Sequence, residues 1–171
     1  MSNLTISIFQ NKIFFEIMKE IKLFSKFQIK YYDNLDTCIK NAEKEKFPLF
    51  DRALIDVPCS GTGTIGKNPE ARWRSNIEQI KQLKKKQLAI MLNISKYIKP
   101  QGVICYSTCS LQKEENWDVI DAFLKLNQKY KIDNSENSLP KLWFKKRNIM
   151  EIFPPRDKLI GMFAVRLKNI R

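Results

Sequence analysis

The stretch FDRALIDVPCSGTG, residues 50–63, decides how the chain is read. Its first seven residues form a compact, largely apolar run that ends in Asp56. A strand buried inside a parallel sheet has this character. The residues that follow are of another kind. Pro58 stiffens the exit, and Gly61 and Gly63 permit a tight turn or the close approach of a ligand. Ligands of such sheets bind beyond the carboxyl ends of the strands. Cys59 therefore stands where a thiol can meet a substrate. Further on, GVICYST (102–108) reads as a second buried strand, and YSTCS (106–110) sets Cys109 at its exit in the same way.

Working outward, LTISIF (4–9) and FQIKYY (27–32) read as strands. Between them Ile13, Ile17, Ile21 and Phe24 recur at helical spacing over residues 11–25. Residues 34–46 read as a polar helix or turn. A long helix is expected over residues 76–98. Ser75 and Glu78 would make its capping box, and Pro100 with Gly102 would end it. Its apolar side holds Ile80, Leu83, Met91, Ile94 and Ile98, while Lys84, Lys85 and Lys86 stay in water. Ser110 is expected to cap the next helix, with Glu114 and Glu115 at the positive end of its dipole. Residues 130–148 read as loop-rich, and EIFP (151–154) and GMFAVRLK (161–168) as closing strands. No internal repeat or flexible linker interrupts the pattern. Strands alternating with helices predict an α/β three-layer sandwich on a largely parallel sheet, one domain over residues 1–171.

Charge points to a partner. Lys and Arg number 31 against 18 Asp and Glu, a net charge of +13, which favours a polyanion, most often nucleic acid. Part of that excess reflects the Ile-, Lys- and Asn-rich composition. Lys67, Arg72 and Arg74 follow the first cysteine motif and are candidate phosphate contacts. Trp73 among them fits either a stack on a base or the core. The chain has no histidine, which removes Ser-His-Asp and Cys-His catalysis and any histidine metal ligand. Cys38, Cys59, Cys105 and Cys109 form no Cys-x-x-Cys knuckle, so no metal site is expected. Cys38 and Cys105 read as small buried hydrophobes. No signal peptide and no membrane span are read, and free thiols fit a reducing, intracellular compartment. Cytoplasm is the first expectation, with nucleolus or organelle as alternatives.

Three segments in order, DVPCSGTG (56–63), KNPEARWR (67–74) and YSTCSLQKEEN (106–116), resemble the RNA cytosine-5 methyltransferases. This is the family of the bacterial 16S ribosomal RNA methyltransferase called Sun or Fmu and of the nucleolar Nop2/NSUN relatives. The resemblance implies a Rossmann-like class I methyltransferase fold, S-adenosylmethionine as cofactor and RNA, ribosomal RNA first, as substrate. By the same resemblance Cys109 is the nucleophile that attacks cytosine C6 and Cys59 assists its release. Asp56 contacts the cytosine edge. Asp33 and Asp56 stand at the positions implied for cofactor contacts.

The chain departs from the family pattern in more than one respect. The family's glycine-rich cofactor loop, roughly A-x-P-G-G-K, has no counterpart in these 171 residues. The expectation is therefore a catalytic domain lacking its first strand and that loop, which another chain or a missing segment would supply. The alternative from a different class is an inactive RNA-binding remnant. Toward the end, PPRDKLIGMFAVRLK (154–168) resembles the family's DGFFxAxLxK ending, with Ile160-Gly161 replacing the acid-glycine pair.

Overall fold

The apolar runs of the sequence become the parallel half of one sheet. Strands β1 (Leu4–Ile8), β2 (Gln28–Tyr32), β3 (Phe50–Asp56) and β4 (Ile98–Thr108) lie in the order β2-β1-β3-β4. Strands β5 (Tyr130–Ile132), β6 (Met150–Ile152) and β7 (Met162–Asn169) complete the sheet. β7 runs antiparallel to β4, and β5 and β6 pair antiparallel with β7. The structure, a computed structural model, describes residues 4–8, 28–32, 49–74, 76–133 and 149–171. The expected helix over 11–25, the polar segment 34–46, Asp33 and Cys38 lie outside the described residues.

Strand order reverses between β1 and β3, and Asp56 ends β3 at that point. Such a switch point, beyond the carboxyl ends, is where open α/β sheets bind ligands. Four described helices follow in chain order: α1 (Ala71–Arg74), α2 (Ile77–Ile94), α3 (Trp117–Leu126) and α4 (Pro154–Asp157).

One face of the sheet is the core. Ala53 pairs with Ile104 and Ile55 with Tyr106, and on the other side of β4 Tyr106 pairs with Val165 and Ile104 with Leu167. All of these are buried against Ile90, Met91 and Ile94 of α2 and Val119, Ile120 and Phe123 of α3. Burial of each large side chain is worth roughly 1.5–3 kcal/mol. The two helices are also tied to each other by Lys84, whose ammonium lies 3.0 Å from Asp118.

Several boundaries differ from the sequence expectation, each for a local reason. The cap of α2 is Asn76, whose side chain accepts the backbone N–H of Gln79 at 2.8 Å; Ser75 lies outside the described residues. The α-helix stops at Ile94, earlier than residue 98. Ser95–Tyr97 tighten into a 3₁₀ turn in which the Ser95 hydroxyl donates to the Leu92 carbonyl. β4 then begins at Ile98, because that residue already pairs with Phe50. Within the span expected to be loop-rich, Tyr130–Ile132 form β5 because the buried Tyr130 anchors its hydroxyl on the Ser95 carbonyl at 3.0 Å. The strand expected over 151–154 ends at Ile152, since Pro154 opens α4.

Candidate active site at two adjacent strand ends

Because β3 and β4 are parallel neighbours, the segments leaving their carboxyl ends leave side by side. Asp56 pairs in register with Ser107, and the Val57 N–H donates to the Ser107 carbonyl. Two residues beyond Val57 and two beyond Ser107, Cys59 Sγ and Cys109 Sγ meet at 3.1 Å, a hydrogen-bonding distance.

Each glycine of the first motif has its own task. Gly61 adopts φ 71°, left-handed backbone that turns the loop back. Gly63 is needed for space. Its N–H donates to the Cys109 carbonyl at 2.8 Å and its carbonyl accepts from Gly161 N–H at 2.9 Å. A Cβ at Gly63 would stand 2.6 Å from both the Cys109 and the Gly161 carbonyl oxygens. The glycine kept at 161, in the segment that departs from the family ending, thus packs directly on the first motif.

The second loop is held by side chains instead. The Thr108 hydroxyl donates to Asn116 Oδ1 at 2.6 Å, and Asn116 Nδ2 donates to the Ser110 carbonyl at 2.8 Å. The Thr62 hydroxyl accepts the Leu111 N–H at 2.9 Å, joining this loop to the first. Ser110 does not cap α3, as its position before Glu114 and Glu115 suggests. Its hydroxyl accepts from the Gln112 N–H and donates to the Glu115 carboxylate, because Glu115 folds inward and is fully buried. Glu114 stays exposed.

The shared hydrogen bond moves the two thiols in opposite directions. It pushes Cys59 up, with burial and the neighbouring Cys109 charge adding to the effect. It lowers Cys109, against burial and the carboxylates of Asp56 and Glu115. The lowering thus comes first from the neighbouring thiol. These directions favour Cys59 as the S–H donor and Cys109 as the acceptor of the shared bond. Asp56 is pushed up by burial and drawn down by the Ser107 hydroxyl, whose oxygen is 3.4 Å from Oδ1.

Both thiols open into a cavity of about 610 Å³ between the first-motif loop and α2, with Gln79, Gln82, Leu83 and Lys86 on the helix side. Lys85 and Lys86 stay exposed as expected, Lys86 at the edge of this cavity, whereas Lys84 departs from the solvated role expected of the run because it is half-buried in its ion pair with Asp118. Lys67 faces a second cavity of about 530 Å³ beside Lys158 and Ile160. Arg72 is exposed on α1, and Arg74 ends that helix with its side chain outside the described residues. Trp73 is 88 % exposed, which removes it from the core. Cys105 lies on the sheet, where burial pushes its thiol up to about 11 against the pull of Arg166. Among the described residues no three His, Cys, Asp or Glu gather as metal ligands, and no helix is long and apolar enough to cross a membrane.

Sequence reasoning missed Glu115 and Gln87. For Gln87 a signal existed: a polar residue in the apolar stripe of a helix, between Leu83 and Met91. For Glu115 none did, since an acid at the start of a helix is ordinary.

The chain matches the family described as 16S rRNA methyltransferase RsmB/F over residues 18–168. It is 35 % identical over 128 residues to a probable ribosomal RNA small subunit methyltransferase B of Synechocystis, covering 74 % of this chain and 29 % of that protein. It is 42 % identical over 91 residues to the ribosomal RNA small subunit methyltransferase B of Proteus mirabilis, covering 53 % and 22 % respectively. The chain thus spans less than a third of the length of these relatives. Among solved structures, NSun6 from Pyrococcus horikoshii with SFG superposes with a TM-score of 0.68 at 21 % identity, over 97 % of this chain and 41 % of that one. A methyltransferase homolog protein from the same organism gives 0.64 at 21 %, over 96 % and 52 %. At such identities the likeness is one of fold, and it is the fold expected from the sequence.

Proposed function

The chain belongs to the 16S rRNA methyltransferase RsmB/F family, and from that premise we propose that it carries the two-thiol chemistry of cytosine C5 methylation in ribosomal RNA. The family is one of S-adenosylmethionine-dependent RNA methyltransferases, and the cofactor supplies the methyl group. The observation that supports the finer reading is the 3.1 Å contact between Cys59 and Cys109, which moves their proton affinities apart.

Cytosine C5 is a poor nucleophile. Addition of a thiolate to C6 forms an S–C bond and moves the C5=C6 electrons onto C5, which can then take a methyl group. Cys109 is the thiol held toward the ionised state, so it is the group that adds. Asp56, pushed toward protonation by burial, suits a proton or hydrogen bond at the ring's N3 edge as charge moves into the ring. Release requires loss of the C5 proton, re-formation of C5=C6 and departure of the Cys109 thiolate. Two of the causes that hold Cys59 protonated are its hydrogen bond to Cys109 and the Cys109 charge. Both disappear once Cys109 is a thioether. Cys59 then gives its own proton to water in the cavity and takes the C5 proton. The coupling therefore orders the two steps.

For S-adenosylmethionine, Asp56 at the β1/β3 switch point is the described residue in a position to face the cofactor. Asp33, the other candidate, is outside the described residues. The rest of the cradle, including the glycine-rich loop, would come from a segment or chain beyond these residues. Lys67, Arg72, Arg74 and Lys86 serve the RNA phosphates, and Trp73 offers a stacking face for a base.

The test is adduct formation on a ribosomal RNA fragment containing 5-azacytosine, whose C6 accepts a thiolate without methyl transfer. On a denaturing gel the parent chain and Cys59→Ala should shift covalently, and Cys109→Ala should not. An adduct with Cys109→Ala and none with Cys59→Ala would reverse the roles. No adduct with any of them would favour an inactive RNA-binding protein.

A further inference from the structure

We propose that Glu115 is the positioning residue that holds Cys59 and Cys109 together. The inference depends on the methylation reading only for its catalytic consequence. Glu115 is fully buried, and its carboxylate is surrounded by donors from three parts of the chain. From the first motif, the Ser60 N–H donates to Oε1 at 2.9 Å and the Ser60 hydroxyl to Oε2 at 2.5 Å. From the second, the Ser110 hydroxyl donates to Oε2 at 2.5 Å. From α2, Gln87 Nε2 donates to Oε1 at 3.0 Å.

Ser60 follows Cys59 and Ser110 follows Cys109, so one carboxylate ties together the residues next to both thiols. Gln87 extends the tie, because its Nε2 also donates to the Pro58 carbonyl at 2.9 Å, just before Cys59. Two acceptors fix that amide's orientation and leave Gln87 Oε1 buried without a partner among the described residues. The backbone of Glu115 is pinned as well, by the buried Tyr106 hydroxyl on its carbonyl at 2.6 Å. A buried carboxylate is tolerated only when its lone pairs are satisfied. Here the donors that satisfy it come from the two loops whose register sets the thiol contact.

A glutamine of the same shape can keep this arrangement. Its oxygen replaces Oε1 for Ser60 N–H and Gln87, and its amide donates to the two serine hydroxyls, which accept as readily as they donate. Alanine cannot.

The experiment measures thiol proximity in the 171-residue chain with dibromobimane, which fluoresces on bridging two neighbouring thiols; peptide mapping assigns the Cys59–Cys109 bridge. Glu115→Ala should bridge at least about tenfold more slowly than the parent, whereas Glu115→Gln should stay within about twofold. In Glu115→Gln the loss of a charge that opposes Cys109 ionisation should also move Cys109 alkylation to lower pH, which a packing role alone would not do. If Glu115→Ala does not fold, the pair Ser60→Ala and Ser110→Ala removes the hydroxyl ties in one chain and should slow bridging likewise. Parent-like bridging in folded Glu115→Ala, or equal loss in Glu115→Gln, overturns the proposal. Slow bridging in Glu115→Ala beside a parent chain that forms no RNA adduct would leave the positioning role standing and remove the methylation reading instead.

Discussion

The two loops that present the thiols solve one problem by different means. The first, residues 58–64, is shaped by backbone: a left-handed Gly61 and a Gly63 pressed against the Cys109 and Gly161 carbonyls. The second, residues 109–116, is shaped by polar side chains: Thr108, Ser110, Asn116 and Glu115 bond one another or the backbone. A glycine loop owes its form to what is absent, so almost any added atom disturbs it. A side-chain loop owes its form to pairs, so each deletion removes one pair and leaves a buried partner unsatisfied.

The largest effect should therefore come from filling the first loop. Gly63→Ala sets a Cβ 2.6 Å from two backbone oxygens, neither of which belongs to a side chain that can swing away. A cost of about 3 kcal/mol is expected, at the upper end of overpacking changes, or roughly 6–12 °C in Tm for a chain of this size. Gly61→Ala is the internal control. The Cβ there meets only the Thr64 hydroxyl at 3.6 Å, so the left-handed φ alone costs about 1 kcal/mol. Calorimetry on the two variants checks the order. Equal losses would mean that conformation, not space, governs both glycines.

Next comes the side-chain loop. Asn116→Ala leaves the Ser110 carbonyl without its donor and the buried Thr108 hydroxyl without its acceptor. The expected loss is about 2 kcal/mol, since each unsatisfied buried group costs about 1–3 kcal/mol and the Thr108 oxygen keeps the Ser110 N–H. Urea unfolding gives the value. A change below about 0.5 kcal/mol would show that the second loop is held by its backbone after all.

The contrast also explains how much of the site was legible. Strands β3 and β4 were readable because an apolar run ending in a polar residue leaves a buried parallel strand few alternatives. Their adjacency put Asp56, Cys59 and Cys109 on one edge. Gly61 and Gly63 were readable as glycines with a purpose, because turn and close approach are the two things glycine does. Glu115 was not. Whether an acid at a helix start faces water or folds inward depends on donors supplied by residues 60, 87 and 110, and no local pattern records that convergence. Trp73 was ambiguous for a similar reason, since exposure on a short helix is decided by what packs nearby, and Lys84 was read as solvated because its partner Asp118 stands on another helix. The end of α2 was misread because Ile98 suits both a helix's apolar stripe and a strand's first pair, and pairing with Phe50 prevailed.

The smallest change in stability should accompany the most informative change in chemistry. Cys59→Ala deletes one half-buried thiol whose backbone contacts, with Cys109 and Gly61, are minor beside its bond to the Cys109 thiol, so stability should shift less than in the variants above. Cys109, however, loses the hydrogen bond that is the first cause of its lowered proton affinity. Burial and the carboxylates of Asp56 and Glu115 remain, and all three oppose the thiolate. In the parent chain the alkylation rate of Cys109 should rise at a pH below that of an ordinary thiol, because the thiolate is the reacting form. In Cys59→Ala the rise should move to higher pH. Iodoacetamide labelling followed by peptide mapping isolates Cys109, and Cys105 serves as a slow internal reference because burial holds its thiol at about 11. A profile that stays in place without Cys59 would mean that Cys109 is ionised by something other than its neighbour. The division into a thiolate that adds and a thiol that waits would then lose its physical basis, while the geometry of the two loops would stand.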